Sequence, residues 1–380
     1  MTAYIPFARP EIDEDTIAAV SEVLRSGWIT SGPQVQRFES ELAAYFGGRP
    51  VRVFTHATAA LEVAVRLASV GPGDEVIVPA MTFAASANVV ALAGGRPVLV
   101  DVDLDSRNTD AARIEAAITP RTRAIMPVHF AGLPVDLEPV YALAARRGLR
   151  VIEDAAHAMG AAYRGRRIGA QGDLVAFSFH PNKNMTTIEG GALSFRDPGE
   201  LERAERLRFH GIRKLPGGGM DVLEHAGKSN LSDVSAAIGI AQLARLERFN
   251  ARRGALARRY LEKLGGVSGL RLPAAGHAGH AWHLFAPLVD FDALNTTRER
   301  FIQAMHARGI GVGVHYQAMH LFAAYRRLGY KPGDFPNAET IGARTLTLPL
   351  FTRMQDADVD RVCGALREAI LQPITSNGHP

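Results

Sequence analysis

Between residues 51 and 195 short apolar runs alternate with longer amphipathic stretches, predicting a repeated strand–helix unit. The runs at 51–54, 75–78, 97–101, 124–127, 150–153 and 174–179 have the length of strands. Helical patterns at 59–68, 84–93, 109–117 and 137–147 separate most of them. Apolar strands joined by helices predict an α/β fold with a mainly parallel sheet covered on both faces. In such sheets ligands collect at the carboxyl ends of the strands. Polar or aromatic residues follow several of these runs: His56 and Thr58 the first, Phe83 the second, His129 the fourth, Asp154 and His157 the fifth.

Outside this block the pattern changes. An extended arm at 5–10 carries two prolines and leads into helical patterns at 13–26 and 35–45. Between those helices lies Gly27-Trp-Ile-Thr-Ser-Gly-Pro33, which either lines a pocket or buries Trp28 as a packing residue. A helix and then a flexible loop tipped by Gly217, Gly218 and Gly219 are expected over 199–222. A long helical pattern over 232–264 bridges two expected domains, 1–250 and 251–380. The second is expected to be α+β, with strands at 282–289 and 311–315 and helices at 298–308 and 357–371. The tail at 375–380 reads as disordered.

Composition narrows the function classes. With 380 residues, 47% hydrophobic and 22% charged, the chain reads as globular, with two domains as the natural prior. A net charge of +4 without a dense Lys/Arg block favours anionic small substrates over nucleic acid. The single cysteine, Cys363, excludes an internal disulfide framework and a cysteine-based metal site. No apolar run reaches membrane-spanning length and none marks a signal segment near Met1, so a cytoplasmic protein is expected. His277, His280 and His283 recur every third residue, but strand alternation separates the last two, and no metal site is expected. The glycines at 309, 311 and 313 have the wrong spacing for a nucleotide loop. Arg344 either binds a carboxylate or pairs at the surface.

The stretch from Ser178 to Gly191 carries the sharpest chemical signal. Lys183 sits there between two apolar runs, on a turn of Ser, His, Pro, Asn and Thr, where solvation is poor. A desolvated lysine has a lowered pKa and offers a neutral, nucleophilic amine, as chemistry with an aldehyde cofactor requires. Taken alone, the lysine reads as an ordinary surface lysine in a loop, and the rest of the chain reverses that reading. Small residues opening a helix at Ala57 and Thr58 form either an anion site or a well-capped helix. An aromatic at Phe83 and a buried acid at Asp154 complete what pyridoxal phosphate (PLP) needs: a lysine, a carboxylate, a ring face and phosphate donors.

The chain resembles the sugar-nucleotide aminotransferases of the DegT/DnrJ/StrS group, within fold type I of the PLP enzymes. The resemblance rests on Gly27-Trp-Ile-Thr-Ser-Gly32, Gly73-Asp-Glu-Val-Ile-Val-Pro79, Pro127-Val-His129, Ile152-Glu-Asp154-Ala-Ala-His157, Ser178-Phe-His-x-x-Lys183, Glu189-Gly-Gly191, His210-Gly211 and Leu348-Pro-Leu-Phe351. It implies a large domain around a seven-stranded, mainly parallel sheet and a smaller C-terminal α+β domain. It also implies that Lys183 holds the cofactor aldehyde and shuttles protons, that Asp154 pairs with the ring nitrogen, and that His157 lies near the ring hydroxyl. Phe83 takes the ring-stacking position, while Ser178, Thr58 and the N–H of Ala57 form the phosphate cradle. His56-Ala57-Thr58 stands where the group usually has Ser-Gly-Thr.

Lys228 and Asn230, in Gly227-Lys-Ser-Asn-Leu231, match a loop that completes the partner's phosphate site in a homodimer. Trp28, Thr30, Glu189, Tyr316 and His320 are candidates for the sugar–nucleotide pocket. In 26–30, 281–285 and 314–320 the chain is most similar to enzymes that aminate a UDP-4-keto-pentose for lipid A modification. The implied donor is L-glutamate, the acceptor a nucleotide-linked 4-keto sugar, and the product serves lipopolysaccharide or another surface glycan. PLP-dependent sugar dehydratases also resemble the chain, but they carry His where Lys183 stands. A non-catalytic regulator on the same fold would not need Lys183, Asp154 and Ser178 together.

Overall fold

The computed structural model describes residues 4–274 and 279–371, so His277 and the 375–380 tail lie outside the described residues. Its centre is a seven-stranded sheet. The strands are β1 (Val51–Phe54), β2 (Glu75–Pro79), β3 (Arg96–Val100), β4 (Thr122–Ile125), β5 (Arg150–Asp154), β8 (Leu174–Ser178) and β9 (Gly191–Phe195). A small hairpin of β6 (Ala162–Tyr163) and β7 (Arg166–Arg167) lies between β5 and β8 in the chain. The sheet order is β1-β9-β8-β5-β4-β2-β3. Only β9 runs against its neighbours; the β8-β5-β4-β2-β3 ladder is parallel throughout.

The strands are apolar on both faces because both are covered. Val76, Val78, Ile152, Leu174 and Ala176 enter one core, while Ile77, Val151, Val175 and Phe177 enter the other. Helix α3 (Ala57–Leu67) and α4 (Ala85–Leu92) close the first side, with α5 (Ala111–Ala116) and α6 (Leu137–Arg147) following in the chain. Residues of α6 and of the preceding α2 (Pro33–Tyr45) close the second side. Helix α1 (Glu14–Ser26) packs on α8 (Asp233–Leu243), as does α2. The Asp233 carboxylate accepts from the N–H groups of Gly32, Gln34 and Val35, satisfying the orphan donors at the start of α2. A Cβ at Gly32 would lie 1.9 Å from Trp28 Nε1 and 2.6 Å from Asp233 Oδ2, so only glycine fits.

A third core joins Ile5 to residues of α9 (Leu246–Leu264), α10 (Arg298–Ala307) and α13 (Asp356–Leu371). The chain between these helices also carries β12 (Leu270–Arg271), β13 (Leu288–Val289), α11 (Ala323–Arg326) and α12 (Pro336–Arg344).

Four expectations are corrected. The loop after α7 (Leu201–Leu207) is a hairpin, β10 (Ile212–Lys214) pairing with β11 (Met220–Val222) across glycines whose φ of +87° and +95° make the turn. The single long helix is two, broken between Leu243 and Leu246, where Arg245 turns its side chain to Ala241 O and Thr16. The strand expected from Trp282 shrinks to β13, because Trp282 takes a left-handed φ of 46°. Residues 311–315 form no strand; isolated bridges from Ile310 to Ile5 and from Gly313 to Thr347 hold that region. Arg344 pairs with Asp290 at 3.2 Å.

Candidate active site

The carboxyl ends of β5 and β8 place Asp154 and Ser178 at the wall of a cavity of about 280 Å³. The turn between β8 and β9 closes on itself. Phe179 N donates to Gly190 O at 2.8 Å, Thr187 N to Phe179 O at 3.0 Å, and Lys183 N to His180 O at 2.9 Å. Asn184 Nδ2 anchors the turn to Ala281 O at 2.8 Å and to Asn250 Oδ1 at 2.7 Å. Lys183 therefore points from a fixed backbone into the cavity. Burial lowers its pKa to about 8, and the nearby Asp154 carboxylate only partly opposes the shift. No carboxylate lies within 4.0 Å of its amine among the described residues, so the lysine is near a negative charge without being held by it.

Asp154 is buried and anchored on both oxygens. Ser86 Oγ donates to Oδ2 at 2.7 Å and Ala156 N to Oδ1 at 3.0 Å. Thr82 Oγ1 lies 2.8 Å from Ser86 Oγ, extending the chain of hydroxyls. A buried carboxylate so supported is oriented to face a cation.

At the start of α3, His56 caps the helix: its Nδ1 accepts from Ala59 N at 2.9 Å. The N–H groups of Ala57 and Thr58 precede that bond and have no intrahelical partner by geometry. Gly191 packs so close that a Cβ there would sit 2.5 Å from Ala57 N. The helix start, Thr58 and Ser178 line one side of the cavity together.

His157 is buried, and burial, aided by Lys183 and His315, pushes its pKa well below the usual range. Its Nε2 lies 3.1 Å from the Tyr316 hydroxyl. Burial, then the Asp154 charge, raises the pKa of Tyr316, which stays protonated. Phe83 stands at the mouth with its ring 5.8 Å from that of Tyr316. Glu189 also lines the cavity and is exposed, 3.8 Å from His180.

A model of the DegT/DnrJ/EryC1/StrS aminotransferase family matches residues 10–367. The chain belongs to this family. Among solved structures, Spr1654 from Streptococcus pneumoniae, described as a sugar aminotransferase and solved in its PLP form, is 33% identical with a TM-score of 0.91, covering 98% of this chain and 100% of its own. DesV from S. venezuelae is 37% identical with a TM-score of 0.90 over 98% and 100% of the two chains. PseC from Helicobacter pylori, an aminotransferase involved in pseudaminic acid biosynthesis, is 26% identical with a TM-score of 0.92 over 97% and 99%.

The DegT/DnrJ/EryC1/StrS member is thus a PLP-dependent aminotransferase of mixed α/β fold. Its cavity fits the cofactor on its own terms. A lysine amine with a lowered pKa, an anchored carboxylate, free N–H groups beside two hydroxyls and an aromatic at the mouth converge on one space.

The structure gathers Ala57, Thr58, Phe83, Asp154, His157, Ser178, Lys183, Glu189 and Tyr316 around that space. Trp28, 60% exposed, lines a separate groove with Val23, Asp233 and Ile240, and Thr30 bridges Ser232 on the same surface. Lys228 is exposed and bridges Phe209, whereas Asn230 bridges Phe54 and donates to Ser31 Oγ; neither lines its own chain's cavity. His320 is a correction. It is fully buried, its Nε2 2.9 Å from Glu339 and its ring edge-on to Phe335, so it packs and does not face the cavity. His129 likewise is buried against Glu153, 2.9 Å away, and supports the sheet.

Sequence reasoning missed Ser86, Thr82, His315 and His283. Ser86 had a signal: it is a hydroxyl four residues after Thr82, in the first turn of a helix that opens at a strand end. His283 and His315 lie in the stretches 281–285 and 314–320 that carry the resemblance, but nothing local places them at the cavity, because tertiary corners set their positions. Among the described residues no cluster of three or more potential metal ligands occurs, and no helix is long and apolar enough to cross a membrane.

Proposed function

We propose that this aminotransferase moves an amino group from L-glutamate to the 4-keto group of a nucleotide-linked sugar, a UDP-4-keto-pentose or a related keto-deoxysugar. The observation that carries the reading is Lys183: its amine, with a pKa of about 8, shares a cavity with an anchored carboxylate and a helix start. The sugar assignment is supported by the names of the similar proteins and by the residues at 26–30 and 281–285. When bound, PLP supplies a carbonyl that accepts the amino group and a ring that withdraws electrons.

The chain's own groups do the rest. Lys183 Nζ would hold the aldehyde until the donor's amine displaces it; the freed amine then takes the proton from the donor's Cα and later gives one to C4 of the sugar. Because one amine delivers that proton from one wall, it fixes the configuration of the new amine. Asp154 keeps the ring nitrogen protonated, held in place by Ser86 and Ala156. Ala57, Thr58 and Ser178 hold the phosphate. Phe83 covers the ring, and Glu189 and Tyr316 meet the sugar nucleotide.

The active unit in this proposal is a cytoplasmic homodimer. Lys228 and Asn230 of one copy complete the phosphate site of the other, and Trp28 and Thr30 lie on the same surface to reach the partner's substrate. Each copy is divided into units 1–250 and 251–380, and the product feeds lipopolysaccharide or surface glycan synthesis. Borohydride reduction followed by mass mapping is expected to label Lys183; a label on another residue contradicts the assignment. The pyridoxamine form, offered a panel of nucleotide 4-keto sugars, should return to the aldehyde spectrum with the true acceptor. Sedimentation under assay conditions tests the assembly, and a fully active monomer contradicts it.

A further inference from the structure

The backbone corner at Ala131 and Gly132 meets His157 and His283 at once. Ala131 sits in the left-handed region, at φ 56° and ψ 7°. In that conformation its N–H donates to His157 Nδ1 at 3.2 Å, while its carbonyl accepts from His283 N at 2.8 Å. Gly132, with φ +92°, leaves no room for a side chain: a Cβ would lie 2.8 Å from His157 O and 3.2 Å from His283 N. The His283 ring lies against that of His157, centroids 4.4 Å apart. Phe130 packs edge-on to both His157 and Tyr316, with centroids 6.1 Å away in each case.

A backbone N–H can only donate, so the nitrogen facing it must carry the lone pair. A neutral imidazole then keeps its single proton on the other nitrogen. That nitrogen, Nε2, lies 3.1 Å from the Tyr316 hydroxyl, which is thereby the acceptor of the bond. The hydroxyl has no other hydrogen-bond partner among the described residues, and Tyr316 lines the cavity.

We propose that the Ala131–Gly132 corner and the ring of His283 lock His157 as its Nε2–H tautomer, so that Tyr316 keeps its hydroxyl proton for an acceptor oxygen of the ligand. His283 is a positioning residue, acting only through His157. The lock also explains why His157 stays uncharged beside Lys183: a second proton on Nδ1 would leave the Ala131 N–H without an acceptor. This goes beyond the proposed reaction and does not depend on which sugar is aminated.

The test reads imidazole nitrogen shifts in cofactor-free protein labelled with ¹⁵N-histidine, with His157→Gln identifying the His157 signals. The expected spectrum shows a protonated Nε2 and an unprotonated Nδ1. A proton on Nδ1 overturns the lock. In Tyr316→Phe the Nε2 signal should shift as its acceptor disappears, and an unmoved signal overturns the donation to Tyr316. His283→Phe, which keeps a ring against His157, should retain the single tautomer, whereas His283→Ala should show both. Loss of the single tautomer in His283→Phe overturns the claim that the ring itself is the wall. If His283→Ala does not fold, the wild type, Tyr316→Phe and His283→Phe still decide. None of these readouts depends on turnover, so failure here and failure of the proposed reaction are distinguishable.

Discussion

Strand β5 begins at Arg150 and ends at Asp154, and its two ends treat buried charge in opposite ways. At the start, Arg150 is paired twice. Arg150 grips Asp173 through Nε at 2.6 Å and Nη2 at 3.0 Å, and reaches Glu200 at 2.9 Å. Burial works against the Arg150 charge, but the bonds to Asp173 and Glu200 outweigh it and raise its pKa. Nearby, Tyr141 donates to Glu153 at 2.6 Å and accepts from Asp173 N at 2.8 Å. At the far end, roughly 13 Å away along the strand, Lys183 has no ion pair among the described residues and the imidazoles of His157, His283 and His315 are held neutral by burial. One end uses its charges to tie strands together. The other withholds countercharges, which lowers stability and leaves the Lys183 amine able to exchange a proton near neutral pH.

The largest effect that tests this contrast is on turnover. Lys183→Ala should lose the base and with it roughly 10²–10⁴-fold or more of the Cα proton exchange of glutamate. The fold should not suffer, since the change removes a desolvated cation. Exchange at near wild-type rate would mean that another base works here. Conversely, Asp173→Asn should leave the activity per folded molecule unchanged and cost about 3 kcal/mol of stability. It strips a buried partner from Arg150, although Glu200 remains. A denaturant melt that barely moves would show that the two ends are not different in kind.

The strands and the polar residues that follow them were legible because each signal was local. Apolar runs of strand length, helix caps and polar residues after strands placed β1 to β5, α6 and the Lys183 turn to within a few residues. What escaped depended on distant chain. Trp282 takes φ 46°, and Ala131 takes φ 56° though it is not glycine, so nothing in their own sequence announces the corners that set His157 and His283. His320 looked chemical because it closes the 314–320 stretch that carries the resemblance, yet the chain turns through residues 319–321 and buries it against Glu339. Trp28 and Thr30 carry a motif, but one chain cannot bring them to its own cavity.

A third test uses pH on the cofactor-free protein. The Lys183 pKa falls from 10.5 in the unfolded chain to about 8 in the fold. Below pH 8 both states hold the proton and the cost of burying the cation is fully present. Between about 8 and 10.5 the unfolded state binds more protons, so stability rises with pH across that window. Relative to Lys183→Met, wild type should therefore gain about 3 kcal/mol over this range. A gap that widens with pH would reverse the sign and remove the claim that Lys183 is desolvated.

The smallest effect tests whether the poised end is also anchored, and it falls on Ser86. This hydroxyl has one proton, and the 2.7 Å contact to Asp154 Oδ2 is the charge-assisted bond that takes it. Thr82 must then donate to Ser86 across their 2.8 Å contact, so the two hydroxyls form a directed chain ending on the carboxylate. Ser86→Ala deletes the donor, leaves the Thr82 hydroxyl to find another acceptor, and spares the second anchor from Ala156 N. The loss should be about 1.5 kcal/mol, the low end for a hydrogen bond to a charged group. If Asp154 serves the cofactor ring, that loss should appear as roughly tenfold slower turnover with little change in KM for glutamate. Ser86→Thr, which keeps the hydroxyl, should recover most of it. A variant that melts earlier but turns over normally would place Ser86 with the structural charges at the other end of the strand.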